Sequence, residues 1–219
     1  MNTADKRANN RMVLLLIAGI PVTMILGATW LWYSVVRGDL DLVGMLGTAN
    51  RGMLVQPPRR LDEAGVHEPG GAPFSYAALE PKWTMVIPVA GGQCDQACEN
   101  TLYLTRQIHV ALGKEFNRIR RLYISDTAPV QTEFPVRILS DRRPAPADFV
   151  EYLAQEQNGL LPLVLDRAAF DQVFVESRSD PGRWYLVDPE GWIMMSYNSD
   201  ISYKDVMADL KFLLKNSGA

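Results

Sequence analysis

"KWTMVIPVAGGQCDQACENTLYLTRQIHVALG", residues 82–113, holds both cysteines of the chain, Cys94 and Cys98. It opens with a short apolar run, Trp83 to Val89, whose length and β-rich composition predict a buried strand. Gly91 and Gly92 break that run. Beyond the cysteines, Leu104, Ile108, Ala111 and Leu112 fall on one helical face, and Gly113 supplies a stop. The stretch therefore reads as strand, CxxxC loop, helix.

Working outward, "NRIRRLYISD" supplies a second strand over about Ile119–Ser125. A helix is expected in "APADFVEYLAQEQNG", with Pro146 in its first turn and Gly159 just past its end. Two apolar runs around Asp188-Pro189-Glu190-Gly191 predict a hairpin in "RWYLVDPEGWIMMSY". The closing helix carries a capping-box pattern at Ser202 and Asp205, with Val206, Leu210, Leu213 and Leu214 as its apolar stripe. Upstream, residues 37–74 are rich in Gly, Pro and charge. They predict a tether, a short strand near Arg51–Val55 and a loop, with Pro57-Pro58 and Pro69-Gly70-Gly71 breaking any longer element. Strands alternating with helices argue for an α/β layer. A cysteine pair at the first strand-to-helix junction of such a layer is the thioredoxin-like arrangement.

The amino-terminal part has another character. Met12 to Val36 runs without a charge, longer than the roughly 20 apolar residues that span a bilayer. Lys6, Arg7 and Arg11 precede it, and positive flanks stay in the cytoplasm. Trp30, Trp32 and Tyr33 mark the far end, where amphipathic rings favour the interface. A cleaved signal peptide has a shorter core of about 7–15 residues and a small-residue cleavage site, which bulky Trp30 and Leu31 after Ala28 do not offer. The organisation expected is a cytoplasmic tail over 1–11, a transmembrane anchor over 12–36, a tether with a strand and loop over 37–75, and an α/β domain over 76–219. The expected location is a bacterial inner membrane, single-pass, with the main domain periplasmic. A formal charge of -3 and 47% hydrophobic residues describe a globular chain and exclude nucleic acid as a partner.

An oxidising space lets disulfides persist. Helical spacing at the start of a helix puts the Cα atoms of Cys94 and Cys98 about 6 Å apart, inside the roughly 4.4–6.8 Å that a disulfide tolerates. The same spacing lets two thiolates converge on a metal. A helix amino terminus favours thiolate, whereas Asp95 and Glu99 disfavour a second anion. A purely structural bridge is the plainer reading, but its tiny loop would add little entropic stabilisation.

At this point the residues resemble the SCO/SenC family of membrane-anchored, thioredoxin-like proteins that assist assembly of the copper A centre of cytochrome c oxidase. The likeness covers roughly residues 45–215 and rests on "GTANRG", on the CxxxC after "WTMVIPVA", on "LYISD" and on "YLVDPEG". In that family two cysteines and one histidine bind copper. The resemblance implies Cys94 and Cys98 as two ligands and copper as the cofactor. The family's histidine stands five residues before the tyrosine of the "YLxxPxG" run, and counting back from Tyr185 gives Asp180. Asp95 and Glu99 also stand where the family has prolines. Carboxylate suits harder ions than copper(I). His109, about three helical turns beyond Cys98, reads as an ordinary helix residue, and nothing places His67 near the site. Adjacent Met194 and Met195 should point to opposite faces of a strand.

The leading expectation is an SCO-like protein assisting cytochrome oxidase assembly. Its Cys94–Cys98 pair would cycle between dithiol and disulfide, or hold copper weakly through two thiolates, with an oxidase subunit or another assembly factor as partner. One rival is a general thiol–disulfide oxidoreductase with Cys94 as the more exposed attacking thiol and Cys98 resolving. The other is a non-catalytic assembly scaffold. Protein extracted from the membrane should keep its apolar run. Amino-terminal sequencing is expected to read from the start of the chain, and a mature end near Ala28 or later would contradict the anchor.

Overall fold

The computed structural model describes residues 3–37 and 50–217 and divides into two compact units. The first contains one helix, α1 (Thr3–Val36), which starts ahead of the expected boundary at Met12 and takes in the basic residues. Within it Leu15–Ser34, 20 residues of mean hydropathy 1.8, is long enough to cross a membrane. At 1.5 Å per residue such a stretch spans about 30 Å, the thickness of a hydrocarbon core. Leu15, Ile17, Met24 and Trp30 are exposed along it. Tether residues 38–49, including Gly47, Thr48 and Ala49 of the "GTANRG" motif, lie outside the described residues.

The second unit is built on a six-stranded sheet of β1 (Met53–Arg60), β2 (Trp83–Val89), β3 (Ile119–Ser125), β4 (Leu160–Val164), β5 (Trp184–Val187) and β6 (Trp192–Tyr197). The spatial order is β1-β6-β5-β2-β3-β4. Strands β2, β3 and β4 run parallel, and β5, β6 and β1 add antiparallel. Every residue of β2 is buried, as a central strand covered on both faces must be. Met85, Ile87 and Val89 enter the core under α2 (Gln96–Ala111) and α5 (Tyr203–Asn216), with Leu102, Ile108, Val206 and Leu210. Val86 enters the opposite core with Leu122, Ile124, Phe170 and Phe174.

Three expectations need correction. β1 does not stop at Val55 but continues through Pro57-Pro58 to Arg60. Its ladder with β6 shifts register between Leu54 and Arg59, and an edge strand at an irregularity tolerates proline because no ladder N–H is lost. The helix α3 covers Phe149–Glu156, so Pro146 lies before it and not in its first turn. The Asp148 carboxylate, accepting from the Glu151 N–H, starts the helix instead. Finally, β4 and α4 (Arg167–Val173) had no expected counterpart. The hairpin is as expected: Asp188 Oδ1 accepts from the Glu190 and Trp192 N–H groups, and Gly191 has φ +92°.

One buried carboxylate ties the start of this unit to its last helix. Asp209 of α5 accepts from the backbone N–H groups of Arg51 and Gly52 and from the Tyr197 hydroxyl. A Cβ on Gly52 would lie 2.6 Å from a Tyr197 ring carbon, so only glycine fits. Asp209→Ala strands these buried donors, at about 1–3 kcal/mol for each unsatisfied group. Thermal unfolding of the full chain in detergent should show Tm lowered by about 5–10 °C, and an unchanged Tm would contradict this account.

Candidate functional site

The cysteines sit where β2 gives way to α2. Gly91 and Gly92 turn the chain with φ of +90° and +69°. The Gly91 N–H donates to the Asp126 carboxylate, which also receives Arg167 Nη1 at 3.0 Å. Next, the Cys94 N–H donates to the Glu133 carbonyl at 2.9 Å and the Glu133 N–H to the Gly92 carbonyl at 2.8 Å. These two bonds pair the segment around Glu133 side by side with the Gly92–Cys94 loop. Asp95 then caps α2: its Oδ1 accepts from the N–H groups of Ala97 and Cys98, both at 3.0 Å. The expectation treated Asp95 only as a neighbouring charge. An Asp directly before an apolar-periodic run was the available sign of a cap.

Cys94 and Cys98 are joined in a disulfide with their Cα atoms 5.1 Å apart, within the expected window. Cys94 is 0% exposed and Cys98 5%. Cys98, and not Cys94, lines an open cavity of about 240 Å³ with Gly91, Gln93, Asp95, Ser177 and Pro181. This reverses the expected order of exposure. Cys94 is fully buried and bonded through its backbone to Glu133, while Cys98 occupies the first turn of α2 beside the opening.

Glu99 does not face the disulfide as an open charge. It is 1% exposed and accepts from Gln96 Nε2, from the Ser140 N–H and from Ser140 Oγ at 2.5 Å. Both ends of the cysteine motif are thus fastened to residues 133–140, which sequence reasoning did not connect with the site.

Asp180 occupies a loop whose next residue, Pro181, borders the Cys98 cavity. Its own carboxylate accepts from the Gly182 N–H at 3.2 Å and the Ser199 N–H at 3.1 Å, and Arg183 Nη2 lies 3.7 Å away. Neither histidine joins the cysteines. His109 is buried, stacks on Phe116 at 3.9 Å and donates from Nε2 to the Phe116 carbonyl, and burial lowers its pKa below the ordinary imidazole value. His67 pairs through its backbone with Val164 at the edge of the sheet. Met194 is exposed and Met195 buried, on opposite faces as the strand alternation predicts. Among the described residues no group of three or more His, Cys, Asp or Glu gathers as a metal ion requires. Two thiolates would be the soft donors here once the disulfide is reduced.

The comparisons with known proteins agree with this architecture. Solved structures with a similar fold include yeast Sco1 (18% identical, TM-score 0.51, covering 75% of this chain and 99% of that one). Another is the apo Sco1 protein from Thermus thermophilus (16% identical, TM-score 0.51, covering 76% and 99%). Copper-bound ScoI from Bradyrhizobium japonicum is 21% identical with a TM-score of 0.44, covering 67% and 94%. No curated protein matches. The family model described as "Transmembrane-like, thioredoxin-like, C-terminal domain" matches residues 83–217, which include both cysteines, the whole sheet from β2 onward and α5. The chain belongs to this transmembrane-like, thioredoxin-like family.

Proposed function

We propose that this chain is a membrane-anchored thiol–disulfide protein acting in cytochrome c oxidase assembly, with Cys94 and Cys98 as the reacting pair. One observation carries the chemistry: the bond between them has one sulfur-bearing residue fully buried and the other beside an open cavity. A client thiolate can approach Cys98, while Cys94 is held by its bond to Glu133 as the leaving group and later the internal nucleophile. The roles are thus the reverse of those expected from sequence order. The sequence resemblance to the SCO/SenC family supports the oxidase-assembly setting. The apolar helix supports an anchor, and the basic residues before it support an amino terminus inside a bacterial inner membrane with the thioredoxin-like domain outside.

Copper, where bound, would rest on the two thiolates of the reduced pair. Asp180 is unsuited to complete the site, because a carboxylate is a poor partner for copper(I) and this one already accepts two backbone hydrogen bonds. In a competition titration with a copper(I) chelator, Asp180→Asn should change the affinity of the reduced protein by less than about threefold. The Cys94→Ser, Cys98→Ser double variant should abolish binding. A large loss in Asp180→Asn would make Asp180 a ligand after all.

The assignment of roles is tested with single variants. Cys94→Ser leaves Cys98 as the free thiol, and Cys98→Ser leaves Cys94. The first should react with a maleimide about tenfold faster than the second, since reaction follows access as well as thiolate character. Faster labelling of Cys94 would return it to the attacking role. A wild-type protein whose disulfide no dithiol can reduce without unfolding would remove the exchange function altogether.

A further inference from the structure

A second cavity, of about 250 Å³, opens beside the one that reaches Cys98. Asp95 and Pro181 line both. One wall of the second cavity comes from α2, with Asn100 and Leu104, and the facing wall from Asp180 and Asn198. Trp184, wholly buried, forms its floor, and the indole Nε1 has no hydrogen-bond partner. The lining holds two carboxylates, Asp95 and Asp180, and neither lysine nor arginine. Asp95 uses only Oδ1 to cap α2. Arg183, which is not part of the lining, donates from Nη1 to Ser196 Oγ and lies 3.7 Å from Asp180 through Nη2, so it offsets part of the Asp180 charge and leaves Asp95 as the less compensated carboxylate.

Resting on the exchange reading above, we propose that this second cavity is a client subsite. It selects thiol peptides that carry a lysine or arginine next to the reacting cysteine. A partly enclosed cleft with one sign of charge concentrates the opposite sign. The apolar parts of Leu104 and Trp184 suit the methylene stem of a long basic side chain, which buries its stem and keeps its charge toward polar groups. An acidic thiol such as glutathione meets like charge on both walls and is disfavoured. The shared Asp95 and Pro181 place the side-chain subsite next to the sulfur, so a residue adjacent to the client cysteine can occupy it while the sulfur reaches Cys98.

The reaction it serves is balanced within client and protein. The first client thiolate attacks Cys98 Sγ, the Cys94–Cys98 bond breaks, and Cys94 Sγ leaves with the electron pair and takes up a proton. The second client thiolate attacks the client sulfur of the mixed disulfide and releases Cys98 as a thiol. Two electrons and two protons pass from the client dithiol to the protein pair.

The test uses the oxidised full chain in detergent micelles. The probes are three synthetic dithiol peptides that differ only in the residue after the first cysteine: lysine, serine or glutamate. The rate at which protein thiols appear is read by mass labelling. It is divided by each peptide's rate with a small uncharged disulfide, which removes differences in the peptides' own thiol reactivity. The lysine peptide should react about tenfold faster than the glutamate peptide, and the difference should shrink between about 20 mM and about 500 mM salt. Asn100→Arg on one wall and Asn198→Arg on the other should each bring that ratio to about one or below, so a folding failure in one variant still leaves the other. Equal lysine and glutamate rates on the wild type, or a ratio that both variants leave unchanged, overturns the subsite and leaves the exchange reading standing. Failure of all three peptides to reduce the protein overturns the exchange reading, and the subsite with it.

Discussion

The Asp95 carboxylate decides how this site is built. By accepting the N–H groups of Ala97 and Cys98 it starts α2 at a fixed residue. Cys94 is thereby left in the loop and Cys98 placed in the first helical turn. A start one residue earlier would move both sulfurs relative to β2. The 5.1 Å separation of the Cα atoms follows from this placement, because one cysteine is helical and its partner sits just ahead of the cap. The same bonds use two of the free N–H groups through which a helix amino terminus favours anions. A cap that fixes geometry this firmly therefore gives up part of the electrostatic help that a thiolate would have received.

What the cap sets, the segment over residues 133–140 holds. Glu133 pairs with Gly92 and Cys94 on one side of the motif, and Ser140 donates to the Glu99 carboxylate on the other. Beneath them, β2 is buried along its whole length and cannot shift without disturbing both cores. The disulfide is thus clamped from the strand, the helix and a crossing segment. A cavity opens on the Cys98 side of this clamp, and under the proposed exchange a partner would meet that sulfur first.

Much of this was legible in the sequence. Largely apolar runs identified β2 and the β5–β6 hairpin, because strands in the middle of a sheet are written as hydrophobic stretches, while β3 carries Arg120 and Arg121 ahead of its apolar Leu122–Ile124 half. The Ser202 and Asp205 pattern identified the start of α5, where the Asp205 N–H does donate to Ser202 Oγ. What could not be read were elements whose identity depends on position in the sheet. β4 is five residues long, contains Pro162 and lies at the edge of the sheet, where proline is most readily accommodated. β1 passes through two prolines for the same reason. At the site, spacing predicted a feasible bridge but not which sulfur is covered. That depends on a contact between Cys94 and Glu133, residues far apart in the chain and linked by no local pattern.

Asp180 has a structural task of its own beside the cysteine pair. Its carboxylate joins the Gly182 and Ser199 N–H groups, so it closes its own loop and fastens that loop to the end of the hairpin. Gly182 at the centre is closely packed: a Cβ there would press on the Ser199 Cβ at 3.0 Å and touch Thr101 Oγ1 of α2 at 3.6 Å. Pro181, between the two, is therefore held against the mouth of the Cys98 cavity from both sides. An imidazole at this position could not accept two backbone N–H groups at once. The loop would then need another fastening. The carboxylate thus holds a fixed acidic group in the wall of the cleft beside the Cys98 cavity.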